Sequence, residues 1–297
     1  MIRYTITFII IAAIVLFLYL QNNWIKINRI KYSAKNLPSK FSGMRIVHLS
    51  DMHSKSFGQD NNKLLKSVKD LNPDIIVFTG DLIDSRRYEE EVSSNTMAAL
   101  LNIAPVYYVI GNHESRREQY ENSLQQKLIN SGVKVLRNDV HAIDKKGRNI
   151  YILGVDDPYK DTRSYNKKIK DSEVLKRNIN EALGKIHLGK VEKTLSRGVP
   201  LNKDHFTILL SHRPEQIETY AHCGVDLVFS GHAHGGQMRI PFIGQGILAP
   251  NQGYFPKYTS GIHKLGETAL VISRGLGNSS FPFRVFNRPE IVFVELV

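Results

Sequence analysis

Hydrophobic and polar positions divide the chain into an apolar opening and a long alternating body. Tyr4 to Leu20 (YTITFIIIAAIVLFLYL) run for 17 residues without a charge, followed by Gln21-Asn22-Asn23-Trp24. At about 1.5 Å per residue, this is near the lower limit of the roughly 17–25 residues that cross a bilayer as a helix. Tyr4 and Trp24 stand at its ends, where aromatic rings suit membrane interfaces. The run is longer than a signal-peptide core of about 7–15 residues, and no small-x-small cleavage site follows it. A retained single-pass anchor over residues 1–24 is therefore expected rather than a cleaved leader.

From Met44 onward short apolar runs alternate with amphipathic stretches. MRIVHLSDMH and DIIVFTGDLID read as buried strands that end in carboxylates. Between them Leu64, Leu65, Val68 and Leu71 have helical spacing, closed by Asn72-Pro73. Glu91 to Asn102 reads as a helix, PVYYVIGNHE as a strand, and Arg117 to Ser131 as a helix stopped by Gly132. HAIDKKGRNIYILGVDD predicts a hairpin turning at Lys146-Gly147. The polar, Lys-rich stretch Asp161 to Arg197 reads as partly helical, an insertion on the substrate side. Strands return with FTILLSHRPE, VDLVFSGHAHGGQ, ALVISRG and EIVFVELV. The pattern predicts a layered α/β sandwich with helices outside, its main domain over residues 44–297 and a linker with a first strand over 25–43.

Five strand ends deliver metal-binding side chains: Asp51-Met52-His53, Gly80-Asp81, Gly111-Asn112-His113-Glu114, Ser211-His212 and Gly231-His232-Ala233-His234. Carboxyl ends of strands are where open α/β sheets place their sites. Residues 51 and 53, like 232 and 234, would share one face of a straight strand but stand about 6–7 Å apart, so a sharp turn must follow each strand to bring both to one cation. The donors are nitrogen and oxygen without thiolate, a set suited to manganese, iron or zinc rather than calcium. Two such cations about 3.5–4 Å apart clamp a phosphate and activate water, and a carboxylate between them offsets their repulsion. Asp81 is the candidate bridge.

Composition narrows the partners. A formal charge of +12 calls for an acidic partner, but the basic residues are scattered rather than gathered into a stripe, so nucleic acid is not expected. Cys223 is the only cysteine, which excludes an internal disulfide and a CxxC site, and it reads as an inert packed thiol. His48 lies mid-strand and reads as packed; His141, His187, His205, His222 and His263 have no motif spacing. Arg213 reads either as a phosphate contact or as a surface ion pair. Asp156-Asp157 reads as a rim or a turn, and Lys167, Lys168 and Lys170 as a solvated face. Lys26, Arg29, Lys31, Lys35 and Lys40 follow the anchor, and the positive-inside rule points the domain to the cytoplasm. The same lysines suit anionic headgroups on either face.

The ordered set D-x-H, G-D, G-N-H-E, H and G-H-x-H resembles the calcineurin-like metallophosphoesterase family over about four-fifths of the chain. The resemblance implies a four-layer α/β/β/α sandwich of two mixed sheets, here preceded by one transmembrane helix. It implies that Asp51, His53 and His234 bind a first metal, that Asp81 bridges, and that Asn112, His212 and His232 complete a second. It also implies that His113 protonates the leaving oxygen, with Asn112 stabilising charge and Glu114, in place of the commoner aspartate, orienting the His113 ring. The apolar opening and GHAHGGQMRIPFIG resemble the YkuE/YaeI-like membrane-associated branch. That branch includes exported phosphodiesterases and relatives of enzymes that cleave the pyrophosphate of UDP-2,3-diacylglucosamine. The expected activity is two-metal hydrolysis of a phosphodiester, phosphomonoester or pyrophosphate, with manganese, zinc or iron and a substrate that includes lipid-linked forms. A membrane-tethered non-catalytic scaffold and a nuclease are the alternatives.

Overall fold

Strands made of unbroken apolar runs must be covered on both faces, and this requirement sets the layering. The computed structural model describes residues 2–117, 120–162, 169–187, 205–278 and 281–297. The chain opens with α1 (Ile2–Asn23), β1 (Lys26–Tyr32), β2 (Arg45–Leu49), α2 (Asn62–Asp70), β3 (Ile75–Thr79), α3 (Glu90–Leu101) and β4 (Val106–Val109). It continues through α4 (Gln125–Ser131), β5 (Lys134–Val135), β6 (Asp139–Lys145), β7 (Arg148–Gly154), α5 (Tyr159–Thr162), α6 (Asp171–His187) and β8 (Phe206–Leu210). It closes with α7 (Ile217–His222), β9 (Leu227–Ser230), β10 (Leu248–Ala249), β11 (Gly253–Tyr254), β12 (Gly261–Leu265), β13 (Thr268–Ile272) and β14 (Glu290–Leu296).

Two six-stranded sheets form, ordered β1-β14-β2-β3-β4-β5 and β12-β13-β9-β8-β7-β6. Both are mixed: β2, β3 and β4 run parallel while β14 opposes β2, and β7, β8, β9 and β13 run parallel while β6 and β12 oppose their neighbours. Period-2 alternation sorts the side chains. Ile46, Val77 and Val294 face inward and meet Ile152, Ile208 and Phe229 of the second sheet. Val47, Phe78 and Ile291 face outward against Leu64, Met97 and Leu128 of the helices on that side. On the far side Leu175, Ile179, Ala182 and Ile186 of α6 cover Leu153, Leu209 and Val228. The architecture is the expected α/β/β/α sandwich.

Three local outcomes refine the sequence reading. Residues 161–197 are no insertion where they are described: α6 has a complete apolar stripe and supplies the outer layer. Lys167 and Lys168 lie outside the described residues. The helix expected from Arg117 starts instead as a wide π turn, Tyr120–Leu124, which seats both Tyr120 and Leu124 in the core before α4 begins. Lys146 and Gly147, with φ of 55° and 76°, form the two-residue hairpin turn between β6 and β7.

The strand within residues 25–43 belongs to the sheet, because β1 pairs with β14 along its whole length, from Lys26 with Glu290 to Tyr32 with Leu296. Only Trp24 and Ile25 separate it from α1. None of the α1 side chains is buried in the protein, and α1 is the one helix among the described residues long and apolar enough to cross a membrane.

Candidate metal centre

The donors leave the carboxyl ends of five parallel strands, three in the first sheet and two in the second, and meet between the sheets. Asp51 and His53 follow β2, Asp81 follows β3, Asn112 follows β4, His212 follows β8, and His232 and His234 follow β9. The convergence has a backbone cause. Asp51, His53, Asp81, His232 and His234 all have left-handed φ, between 47° and 65°. Residues with a Cβ avoid this region, so the strain is concentrated on the donors themselves. Gly231 permits the close approach: a Cβ there would lie 1.9 Å from Ser50 Oγ and 2.2 Å from Asp51 Oδ2.

Two donor groups result, Asp51-His53-Asp81-His234 and Asp81-His212-His232, with Asp81 common to both and the donor atoms of each within 4.8 Å of one another. His53 Nε2 and His234 Nε2 are 3.1 Å apart, and His234 Nε2 is 3.4 Å from Asp51 Oδ1. On the other side His212 Nε2 lies 3.2 Å from Asp81 Oδ2 and 3.2 Å from His232 Nδ1. The His212 Nδ1–H donates to the Thr79 carbonyl at 2.7 Å, which leaves Nε2 with its lone pair toward Asp81. Asn112 Oδ1 is buried without a partner among the described residues. So many acceptors packed face to face suit two divalent cations bound by nitrogen and oxygen.

The electrostatics agree. Burial pulls His53 down to about 3 and, helped by neighbouring cations, holds His232 and His234 well below the usual histidine range. These rings are neutral, as metal ligands must be. Burial also opposes charge on His212, but the Asp81 and Asp51 carboxylates push it up to about 10. Carboxylates that hold a proton this firmly would hold a divalent cation in its place. Burial raises Asp51 to about 6 against the pull of His212. In Asp81 the His212 and His113 charges outweigh burial and hold the carboxyl well below its usual range.

His113 stands beside the donors, its ring edge-on to His53 at 4.6 Å between centroids. Its Nδ1 accepts the Ser85 N–H at 2.9 Å when the ring is neutral, and lies 3.5 Å from Asp84 Oδ1, the carboxylate that it faces when protonated. Glu114 does not take the expected place at this ring. Its buried carboxylate instead accepts backbone N–H bonds from Gly111 at 2.7 Å, Asp81 at 2.9 Å and Ile83 at 3.0 Å. A side chain one methylene longer than aspartate reaches past the ring and ties the ends of β3 and β4 together.

A cavity of about 260 Å³ opens over the centre, lined among others by Asn112, His113, Arg116, Tyr159, Arg213 and Asn251. Arg213 is neither a surface pair nor free: Asp157 grips its guanidinium with two bonds, 2.6 and 2.8 Å, and Nη1 comes within 3.1 Å of His232 Nε2. Asp156 turns away to pair with Arg137. His48 is packed as expected, bonded to Thr79 Oγ1 at 2.8 Å and edge-on to Phe229. His141, His205, His222 and His263 enter neither donor group. Cys223 is half-buried at the end of α7.

Residues 44–236 match the family model of calcineurin-like phosphoesterases. The chain is 30% identical to the uncharacterized metallophosphoesterase YkuE of Bacillus subtilis (strain 168), covering 94% of this chain and 87% of that protein. It is 23% identical to the phosphodiesterase YaeI of Escherichia coli (strain K12), covering 94% and 91%. It is 28% identical to the Bos taurus transmembrane protein with metallophosphoesterase domain, covering 89% of this chain and 55% of that one. The family match spans more than half of the chain and contains every donor of the centre, so this chain belongs to the calcineurin-like phosphoesterase family and is a metallophosphoesterase.

Proposed function

We propose that this metallophosphoesterase is a single-pass membrane protein that hydrolyses a phosphodiester or pyrophosphate bond in a lipid-linked substrate. The observation that carries the reading is the pair of donor groups sharing Asp81 at the floor of a cleft lined by Arg116 and Arg213. Asp51, His53 and His234 would hold one cation and Asn112, His212 and His232 the other, with Asp81 as the donor common to both groups. When bound, the two cations polarise a phosphoryl oxygen and activate water, and manganese suits the mixed imidazole and carboxylate donors. The arginines offer charge to the phosphate, with Arg213 fixed in place by Asp157.

His113 delivers a proton to the leaving oxygen, and Asn112 steadies the charge that develops there. Burial works against the His113 cation, but Asp81 and Asp84 outweigh it and raise its pKa, which favours the proton-carrying form. The phosphodiesterase name of the related YaeI favours a diester over a monoester. The apolar α1 and the transmembrane relative support the anchor, and the lysines and arginines after α1 favour a cytoplasmic domain. Lipid-linked nucleotide sugars of the UDP-2,3-diacylglucosamine kind combine the bond and the setting.

The test uses the full chain in detergent, stripped of metal and then given manganese, zinc, iron or magnesium, with bis-p-nitrophenyl phosphate and the monoester as substrates. Manganese should restore diester cleavage above monoester cleavage, and Asp81→Ala should abolish it. A chain that binds two metals and cleaves neither ester nor a lipid pyrophosphate would sink the proposal.

A further inference from the structure

The segments after the metal ligands carry a group of large apolar side chains that the protein leaves uncovered. Phe242 and Ile243, at the tip of a tight turn, are fully or mostly exposed, as are Tyr254 and Phe255 beyond it. Phe283 and Phe286, on the segment before β14, are about half exposed. The two segments are joined, because Met238 bridges Val285 and the Arg239 N–H donates to the Val285 carbonyl at 3.0 Å. Exposed aromatic clusters of this kind in a soluble setting mark a contact surface.

The N-terminal helix says what covers it. Phe286 meets Phe17 of α1, with ring centroids 5.4 Å apart. Gln21 Oε1 accepts the Asn287 N–H at 3.2 Å, and Asn278 Nδ2 donates to Asn22 Oδ1 at 2.8 Å. Phe17 lies inside the apolar run that ends at Leu20, about 4.5 Å along the axis from it. The whole run is only about 25 Å long against a hydrocarbon core of about 30 Å, so none of it can be spared outside the bilayer. A side chain touching Phe17 is therefore level with the lipid chains. Arg288 lies over the Trp24 ring at 4.8 Å, which sets a cation and an indole at the headgroup level beside it.

We infer that the face built from residues 238–256 and 281–287 seats in the phospholipid bilayer that holds α1, with Phe242, Ile243 and Phe286 entering the headgroup–acyl boundary. Such boundary insertion reaches about 5–10 Å, the depth that the Phe17 contact requires. The same segment supplies Pro250 and Asn251 to the cleft and starts four residues after His234, so seating it brings the mouth of the metal centre to the membrane surface. A net charge of +12 adds attraction for anionic headgroups. The inference rests on α1 crossing the membrane, as proposed above.

The test places one environment-sensitive fluorophore at a time on the full chain in a Cys223→Ser background, at Phe242→Cys, Ile243→Cys, Phe8→Cys or Glu181→Cys. Each variant is reconstituted in phosphatidylcholine–phosphatidylglycerol vesicles with or without doxyl-labelled lipid, and diester hydrolysis checks folding. Probes at 242 and 243 should be quenched about two-fold by doxyl groups near the headgroup, the boundary depth, while the probe at Glu181 on α6 stays bright. Bright 242 and 243 probes beside a quenched Phe8 probe would overturn the seating and leave the span standing. A blue-shifted 242 probe that lipid cannot quench would mean that protein covers the face, which also overturns it. An unquenched Phe8 probe would remove the span and the seating together.

Discussion

Arg213 and Asp157 form a two-pronged pair closed off from water, Nε to Oδ2 at 2.6 Å and Nη2 to Oδ1 at 2.8 Å, beside the His232 ring. Two charges in such a place cost desolvation that an apolar pair would not, so the pair is better explained by positioning than by stability. Removing one partner is different, since it strands the other charge. Asp157→Ala should lose about 3–5 kcal/mol of stability, read by denaturant unfolding. Asp157→Asn, which keeps the shape, should unfold nearer the wild type yet raise KM for a diester. Equal KM in Asp157→Asn and the wild type would show that Arg213 does not meet the phosphate.

Asp81 and His113 are 32 residues apart and joined by a 2.9 Å bond from the His113 N–H to Asp81 Oδ1, yet their proposed tasks separate cleanly. Asp81 belongs to both donor groups, so Asp81→Ala should lose metal and turnover together. His113→Gln should keep both metals and lose about 10²–10⁴ of kcat, the usual contribution of a placed general acid. Metal content by atomic emission beside kcat decides the matter. Equal metal loss in the two variants would defeat the division of roles.

The donors were legible in the sequence because each follows an apolar run long enough to be a buried strand. Their convergence was legible only as a need for sharp turns. Left-handed φ at Asp51, His53, Asp81, His232 and His234 leaves no composition signal, since none of them is glycine. Partnerships made through space were invisible for a similar reason. Asp157 meets Arg213 across 56 residues, and Ser85 meets His113 across 28. Asp84, three residues past the expected bridge, had a local signal in DLID, but nothing in that spacing says which histidine it faces. Glu114 was misread because motif position suggested a ring contact, whereas chain length carries its carboxylate to three amides.

The reassigned partner of His113 gives a pH prediction. Asp84 lies 3.5 Å from Nδ1 and favours the protonated ring, so its removal lowers the His113 pKa. A general acid acts in its protonated form, and the alkaline limb of the kcat profile follows that pKa. Asp84→Asn should move this limb to lower pH, because one adjacent carboxylate is lost. Glu114→Gln, at the amides rather than the ring, should move it less and cost stability instead. An unmoved limb in Asp84→Asn would remove Asp84 from the proton path.

His48 makes a prediction about acid stability that is separate from catalysis. The ring is closed off between the sheets against Phe229, and burial pulls it down to about 3 from an ordinary 6.5. In the unfolded chain it takes up a proton below 6.5, while the folded chain refuses it until about 3. Unfolding therefore binds a proton across that window, and stability falls as pH drops from 6.5 toward 3. At pH 4.5 the loss assigned to this one ring is roughly 2–3 kcal/mol, two pH units below the unfolded value at about 1.4 kcal/mol each. His48→Gln keeps a donor for Thr79 Oγ1 and cannot titrate. It should start less stable at pH 7.5 and close the gap with the wild type by that amount at pH 4.5, measured by urea unfolding of the metal-free chains. A gap that stays constant across the two pH values would mean that the ring takes up its proton in the folded protein as readily as in the unfolded chain.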